Sequence, residues 1–259
     1  METIKRINDM ETKKKIMHQL LEVGEMLLSS GAEISRVEET MARMGAAYGA
    51  EKTDVFAITT SIVVTMIFKN GEMLTQTRRV IPSGGTDFTR IEELNELSRR
   101  CCARPLSVEE LTREVERIKK MSPGKAYFYG GSMLAVASLT MFFGGNMLDG
   151  GVAAVAAILI CLLQKRFAPL CGNNVIFNFF ASWITGCLIC ILSMIFPVHV
   201  DKVIIGDIML LIPGLALTNA VKNMLTGDTV SGTMRLAESV LWAGALAGGF
   251  ICAVWMTGV

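Results

Sequence analysis

The sequence predicts a membrane protein: an N-terminal α+β domain followed by an all-α bundle of five transmembrane helices. Three observations predict this fold class. Of the 49 Asp, Glu, Lys and Arg residues, 39 precede Ala126 and only 10 follow it. The first part alternates between helical and strand periodicity, whereas the second is almost entirely apolar and long enough for several crossings. We therefore expect a head domain at 1–122 and a transmembrane domain at 123–259.

The head begins with two predicted helices, Thr12–Ser29 and Glu33–Tyr48, each with apolar residues on one face. Gly24, Gly45 and Gly49 weaken these helices, and we expect them where helices pack closely. The run before them, Met1–Lys15, lacks the apolar core of a signal peptide, so we expect the head to stay in the cytoplasm.

Strand periodicity follows. It predicts a strand at Phe56–Ser61, either separate from or continuous with Ile62–Phe68, and a partner at Glu72–Val80 across an Asn70-Gly71 hairpin turn. Thr86 or Asp87 is expected to cap a helix at Phe88–Cys102. Ser107 and Glu110 form a capping box for a helix at Val108–Lys120.

Nothing in the head has the spacing of a known catalytic or metal motif. Its only histidine, His18, is expected on a solvated helix face. Ser83-Gly84-Gly85 either cradles an anion or is a plain turn, and the turn is the simpler interpretation. The residues before Ala126 include 20 basic and 19 acidic ones, so no basic patch indicates nucleic acid. We predict no enzyme and no cofactor; the alternative is a membrane-anchored enzyme with a hydrolase-like head.

Five crossings are predicted in the second part. They are Ala126–Leu148, a stretch from Met147 to Gln164, Val175–Phe196, Val203–Leu217 and Arg235–Thr257. Lys165 and Arg166 mark an inner turn, and Asp149, His199 and Lys202 an outer end. Because Lys and Arg collect on the cytoplasmic side, this order predicts a cytoplasmic N-terminus and an external C-terminus.

Two carboxylates lie inside predicted spans, Asp207 in the fourth and Glu238 in the fifth. Burying an ionised side chain in hydrocarbon costs at least about 2.5 kcal/mol, so each needs a partner or a purpose. Each is either functional or an interfacial anchor, and Glu238 could pair with Arg235.

Pro213-Gly214 predicts a broken helix, because proline removes a donor and frees the Met209 carbonyl. Such a break either exposes backbone dipoles to a solute or is a kink for packing. Polar residues around it and at the start of the third span either line a path or form a wet loop and helix contacts: Asn174, Asn178, Thr218, Asn219, Asp228 and Ser231.

Small residues in the spans are expected to serve packing. Gly244 and Gly248 predict a close helix contact. Cys187 and Cys190 are expected to be small helix residues rather than a metal or redox pair.

The residues Gly24–Leu28, Ser30-Gly31-Ala32-Glu33 and Arg36–Thr40 resemble the head of the threonine/serine exporter family. The later stretch Ile212–Ala220, with Gly227-Asp228, Ser231-Gly232 and Arg235-Leu236, resembles the same family. The resemblance covers nearly the whole chain.

It implies export of small hydrophilic metabolites across a bacterial cytoplasmic membrane, with threonine and serine, or a dicarboxylate such as succinate, as substrates and the proton gradient as the energy source. Single-chain members resemble a head with about ten spans. This chain therefore resembles the larger subunit of a split form, with a second short membrane protein or further copies as partners. Asp207 and Glu238 are our candidates for proton coupling.

Overall fold

The computed structural model describes residues 10–81, 86–121 and 125–258, with side chains from 127 onward in the last range. Contacts divide the described chain into two compact units. The first contains the described residues of Met1–Ser122 together with Asn219–Met234; the second contains those of Pro123–Thr218 and Arg235–Val259. The segment Asn219–Met234 therefore packs with the head, although it lies far along the chain.

The first unit is an α+β domain whose helices cover one face of a small sheet. Its helices are α1 (Met10–Ser29), α2 (Ile34–Ala47), α3 (Phe88–Ala103) and α4 (Val108–Lys119), and its strands are β1 (Ala50–Ile58), β2 (Ser61–Phe68) and β3 (Met73–Arg79). The three strands are antiparallel in the order β1-β2-β3. Alternate residues of β2 are buried, which places one face of the sheet in the core with the helices.

Local signals account for the ends of these elements. The Asn70-Gly71 turn joins β2 to β3, with Gly71 at a φ of 79°. Ser107 and Glu110 form both bonds of the capping box, and Asp87 accepts from the Arg90 amide at 3.0 Å. The predicted strand Phe56–Ser61 was wrong in its bounds: β1 covers Ala50–Ile58, the chain reverses at Thr59-Thr60, and Ser61 begins β2. The two runs are therefore separate strands rather than one continuous strand.

One of the three head glycines lies where two helices pack closely, as predicted: a Cβ at Gly24 of α1 would come within 3.0 Å of Met41 Sδ of α2. Gly45 also marks a close approach, but to Thr53 Oγ1 of strand β1 rather than to a helix. The prediction of close packing was wrong for Gly49, because a Cβ there would meet nothing within 4 Å. Gly49 lies instead in a turn, at a φ of 91°. The motif Ser83-Gly84-Gly85 lies outside the described residues.

The second unit is a helical bundle. It contains α5 (Lys125–Phe142), α6 (Met147–Arg166), α7 (Ala168–Cys171), α8 (Asn174–Ile195) and α9 (Val200–Leu211). Two further helices cross between the units: α10 (Gly214–Leu225) begins in the bundle and ends in the first unit, and α11 (Thr229–Thr257) begins in the first unit and continues into the bundle.

Within the described chain, three helices are long and apolar enough to cross a bilayer: α6, α8 and α11. The pair α9–α10 adds a fourth if it is counted as one span, and it is bent by 56° at its break. The helix α5 is not among them. The count of five spans stays a prediction.

The predicted first span was wrong in its extent. The helix α5 ends at Phe142 rather than Leu148, because Gly144 takes a φ of 94° and the Gly145 amide bonds back to Thr140 O at 3.0 Å. A capping box of Asn146 and Asp149 then starts α6.

Candidate functional site

The central candidate is Asp207, on α9. This helix packs against α5, α6 and α8, so a residue on its inner face is enclosed by the bundle. Asp207 is fully buried, and neither carboxylate oxygen has a hydrogen-bond partner among the described residues. A buried polar group without a partner costs several kcal/mol, on the order of 2–7. Packing alone therefore gives no reason for an acid at this position.

Asp207 lies between two apolar clusters. One cluster contains Val203 and the other contains Leu211, each four residues from Asp207 and therefore on the same helix face. Both clusters draw residues from α6, α8, α9 and α11, and the Val203 cluster also includes Val136 of α5. The carboxylate interrupts an otherwise continuous apolar stripe.

The facing helix α8 shows the same interruption. Ala181 belongs to the cluster with Leu211 and Ile189 to the cluster with Val203, and Thr185 lies midway between them. Thr185 is fully buried, and its hydroxyl oxygen has no partner in the described part of the chain. Because α8 packs against α9, the two stripes put Thr185 at the level of Asp207.

A third hydroxyl reaches α9 from α5. Gly206 packs so closely on α5 that a Cβ there would come within 3.0 Å of Thr140 Oγ1. Thr140 is fully buried, and Oγ1 has no hydrogen-bond partner within the described ranges. The glycine beside Asp207 thus lets a polar side chain approach the backbone next to the acid.

The predicted break at Pro213-Gly214 is present. The helix α9 ends at Leu211, and α10 begins at Gly214. Gly214 is exposed, and its carbonyl accepts from the Thr218 hydroxyl at 3.0 Å. The helix α9 ends about one turn beyond Asp207, Pro213 lies nearly two turns beyond it, and the chain bends by 56° at this break.

The asparagines of α8 form one stripe. Asn178 is buried and Asn174, at the first residue of the helix, is half-buried. Ser182 continues the stripe toward Thr185 and donates to the Asn178 carbonyl at 2.7 Å. Sequence reasoning missed Ser182 and Thr185, although their spacing of four and seven residues from Asn178 was a usable helical signal.

Three predicted residues belong to the first unit: Asn219, Asp228 and Ser231. Asp228 accepts from the Ser231 amide at 3.3 Å at the start of α11, which is a capping role. Ser231 is fully buried, and its hydroxyl has no partner in the described chain; the same holds for Nδ2 of buried Asn223.

The same segment is tied to the head by an ion pair. Lys222 Nζ lies 2.8 Å from Glu33 Oε2 at the start of α2. The hydrogen bond from Lys222 is the main cause that lowers the pKa of Glu33. Glu33 therefore stays ionised in the folded head.

Arg235 and Glu238 on α11 are both half-buried. The charge of Glu238 acts on Arg235, as the alternative of a pair between them required, although no ion pair within 4.0 Å joins these two described side chains. Beside Glu238, Ser239 is buried, and its hydroxyl has no partner in the structure as described.

At the end of the bundle where α6 and α9 begin, Asp149 is fully buried and well bonded. It accepts from the His199 amide at 2.8 Å and lies 3.0 Å from His199 Nδ1. Asp149 also accepts from the Asn146 amide at 2.7 Å. These contacts join the start of α6 to the start of α9.

The head offers no comparable cluster in its described residues. His18 is exposed and lies 3.3 Å from Arg78, as expected of a solvated helix face. Across the described residues, no group of three or more His, Cys, Asp or Glu side chains could hold a metal ion.

The sequence was then compared with known proteins. A family model described as "Putative threonine/serine exporter" matches residues 18–257. The chain belongs to the threonine/serine exporter family.

Individual relatives fall into two groups. The chain is 24% identical over 244 residues to the "Threonine/serine exporter" of Corynebacterium glutamicum, covering 90% of this chain and 50% of that protein. It is 26% identical over 256 residues to the "Probable succinate transporter subunit YjjP" of Klebsiella aerogenes, covering 97% of each. The corresponding subunit of Escherichia coli is 26% identical over 257 residues, with 96% of this chain and 97% of that protein covered.

The chain thus spans half the length of the Corynebacterium exporter and nearly all of the two subunits. No solved structure matches it. Membership in this exporter family and the apolar helices support a transporter in a membrane.

Proposed function

We propose that this chain is the larger subunit of a two-component secondary exporter in the bacterial cytoplasmic membrane. It would carry threonine and serine, or a dicarboxylate such as succinate, out of the cell at the expense of the proton gradient. The family supports export of small metabolites, and the relatives of equal length, named as transporter subunits, support a second component.

The observation that carries the proposal is the unpaired Asp207 carboxylate. A fully buried acid without a hydrogen-bond partner among the described residues is poorly explained by stability. Intramembrane acids mark proton and ion pathways in transporters. Asp207 is therefore the residue we assign to proton coupling, with Glu238 as a second candidate nearer the start of α11.

The proposed cycle uses the broken helix. A proton entering from outside neutralises Asp207, and the loss of charge favours one arrangement of the bundle over the other. Solute binds against the Pro213-Gly214 break, where an interrupted helix leaves backbone groups for hydrogen bonding. Asn174, Asn178, Thr218, Asn219, Asp228, Ser231 and Arg235 remain candidates for the solute path.

The orientation follows from the distribution of Lys and Arg. The head and the turn at Lys165-Arg166 lie in the cytoplasm, and the Asp149–His199 end faces outward. Five spans put the C-terminus outside.

The test is transport by Asp207→Asn, which keeps the side-chain size but cannot ionise. Membrane vesicles from cells that express the full chain with its flanking genes are loaded with labelled serine, threonine or succinate. We expect the variant to lose gradient-driven efflux while expression and thermal unfolding stay near wild type.

Asp201→Asn is the matched control. Asp201 lies on the same helix but is exposed and 3.2 Å from Lys202, so its neutralisation should leave efflux unchanged. Undiminished gradient-driven efflux by Asp207→Asn would remove this residue from the mechanism. No efflux of any of the three solutes by the wild type would contradict the proposed function.

A further inference from the structure

We propose that Asp207, Thr140 and Thr185 together form the binding site for the coupling cation, with one oxygen-bearing side chain from each of α9, α5 and α8. The inference rests on the proposed function and deepens it, because it adds two hydroxyl ligands that the sequence does not single out. The ligand is a small monovalent cation held by oxygen: a proton shared between the groups, or Na⁺.

The first support is that all three side chains are fully buried, and their oxygens lack hydrogen-bond partners in the described chain. The other buried hydroxyls of the bundle differ among themselves. Ser239 also lacks a partner in the described chain, whereas Ser182 donates to two carbonyls of its own helix, at 2.7 and 3.0 Å. Thr140 and Thr185 make no such hydrogen bond to a carbonyl of their own helix, which is unusual for buried hydroxyls.

The second support is placement. Gly206 brings α9 against Thr140 Oγ1, and the next residue is Asp207. Thr185 lies between the same two apolar clusters as Asp207, on a helix packed against α9. Asp207 and Thr185 thus lie at one level between two apolar clusters, and Thr140 reaches the neighbouring turn of α9 from the end of α5 that adjoins Gly145 and Asp149. None of the three oxygens is hydrogen-bonded to another, so it is the bound cation that would join them.

The third support is the chemistry of the set. It holds one carboxylate and two hydroxyls, and no basic side chain of the bundle is buried among the described residues. Such a set suits a hard cation and repels an anion. A hydroxyl can also donate to a carboxylate when no cation is bound, so the same groups stabilise the empty site after a small rotation.

Charged and titratable groups on the neighbouring helices lie mostly toward their ends. Asp149 is bonded to Asn146 and His199 at the start of α6, and Lys165 is 5.5 Å from the Tyr129 ring near its end. The remaining titratable groups on the described parts of α5, α6, α8 and α11 are Tyr127, Cys161, Arg166, Cys187, Cys190, Arg235, Glu238 and Cys252.

The test uses Thr140→Val and Thr185→Val, which keep the shape and remove only the hydroxyl. Thr257→Val is the control, because that hydroxyl bonds to carbonyls of its own helix. Two measurements are made on the full chain: efflux rate against proton and Na⁺ concentration in the vesicles above, and infrared titration of the Asp207 carboxyl in detergent. Asp207→Asn identifies its band.

We expect each Thr→Val variant to shift the half-saturating concentration of one cation about tenfold, equivalent to ~1.4 kcal/mol, in both measurements. Thr140→Ser and Thr185→Ser should restore it, and Thr257→Val should match wild type. If sodium is the ligand, Na⁺ rather than pH moves the infrared band.

Three results would overturn the inference: no shift with either valine variant, a lower maximal rate without a shift, or equal shifts in the control. These outcomes are separable from failure of the proposed function. A vesicle system without efflux, but with a band that responds to the threonines, contradicts export and leaves the cation site standing.

Discussion

At the scale of residues, the absence of a Cβ at particular glycines allows helices of the bundle to approach closely. Gly249 of α11 faces Ser182 of α8, and Gly186 of α8 faces Ala253 of α11. Each helix thus offers two small residues four apart, the pattern that allows close contact in membranes. The predicted pair Gly244 and Gly248 was wrong for this role: a Cβ at Gly244 would meet nothing within 4 Å, and Gly248 has only van der Waals neighbours.

Gly249→Ala tests this contact. Its added methyl would come within 3.0 Å of the Phe179 carbonyl and the Trp183 amide, which are backbone atoms that cannot rotate away. We expect a loss of about 1–3 kcal/mol, the usual cost of overpacking. Gly244→Ala is the control and should be neutral or slightly stabilising. Both are measured by thermal unfolding in detergent; equal stability of the two variants would show that α8 and α11 do not pack in this way.

The residues of the candidate site differ in how far the sequence alone could predict them. Asp207 could be predicted because a charge in an apolar stretch is costly wherever it points. Thr185 could not, since threonine is common in membrane helices. Only the packing of α8 shows that its hydroxyl is buried without a partner in the described chain.

At the scale of elements, the sequence predicted the turns, caps and breaks that depend on a few neighbouring residues. The Asn70-Gly71 turn, the Ser107–Glu110 box and the Pro213 break are all present where expected. The turns at Thr59-Thr60 and Gly144-Gly145 were not predicted, because neither pair strongly interrupts the run of apolar residues around it. In both places the long-range partner decides: β1 pairs with β2, and α5 packs on α6.

Pro213→Ala tests the broken helix. Alanine restores an amide that can bond to the Met209 carbonyl, so the variant should straighten α9–α10. We expect efflux to fall about tenfold, equivalent to ~1.4 kcal/mol, with normal expression. Pro197→Ala changes a loop proline after α8 and should keep wild-type efflux. Wild-type rates in Pro213→Ala would make the break a packing kink.

At the scale of the whole molecule, the last helix leaves most of its apolar surface uncovered within the described chain. Only 22% of the apolar window of α11 is buried, against 44% in α6 and in α8. Lipid can cover such a surface, and so can the second subunit that the proposed function includes.

We therefore predict that the chain expressed alone gives no gradient-driven efflux, and that adding a short membrane protein from its flanking genes restores it. Labelled-solute efflux from vesicles measures both states. Asp207→Asn expressed with the partner is the control, because it should remain inactive. Full efflux by the chain alone would show that copies of this subunit suffice.

The path of α10 and α11 between the two units has a practical consequence for truncation. A fragment that stops at Ser122 would lack Asn219–Met234, a part of its own folding unit, and would lose the ion pair of Glu33 with Lys222. Cleaving the chain there would therefore leave a fragment without a segment that packs on it. A fusion that joins Asn219–Met234 to the head is the better starting material for work on the first unit.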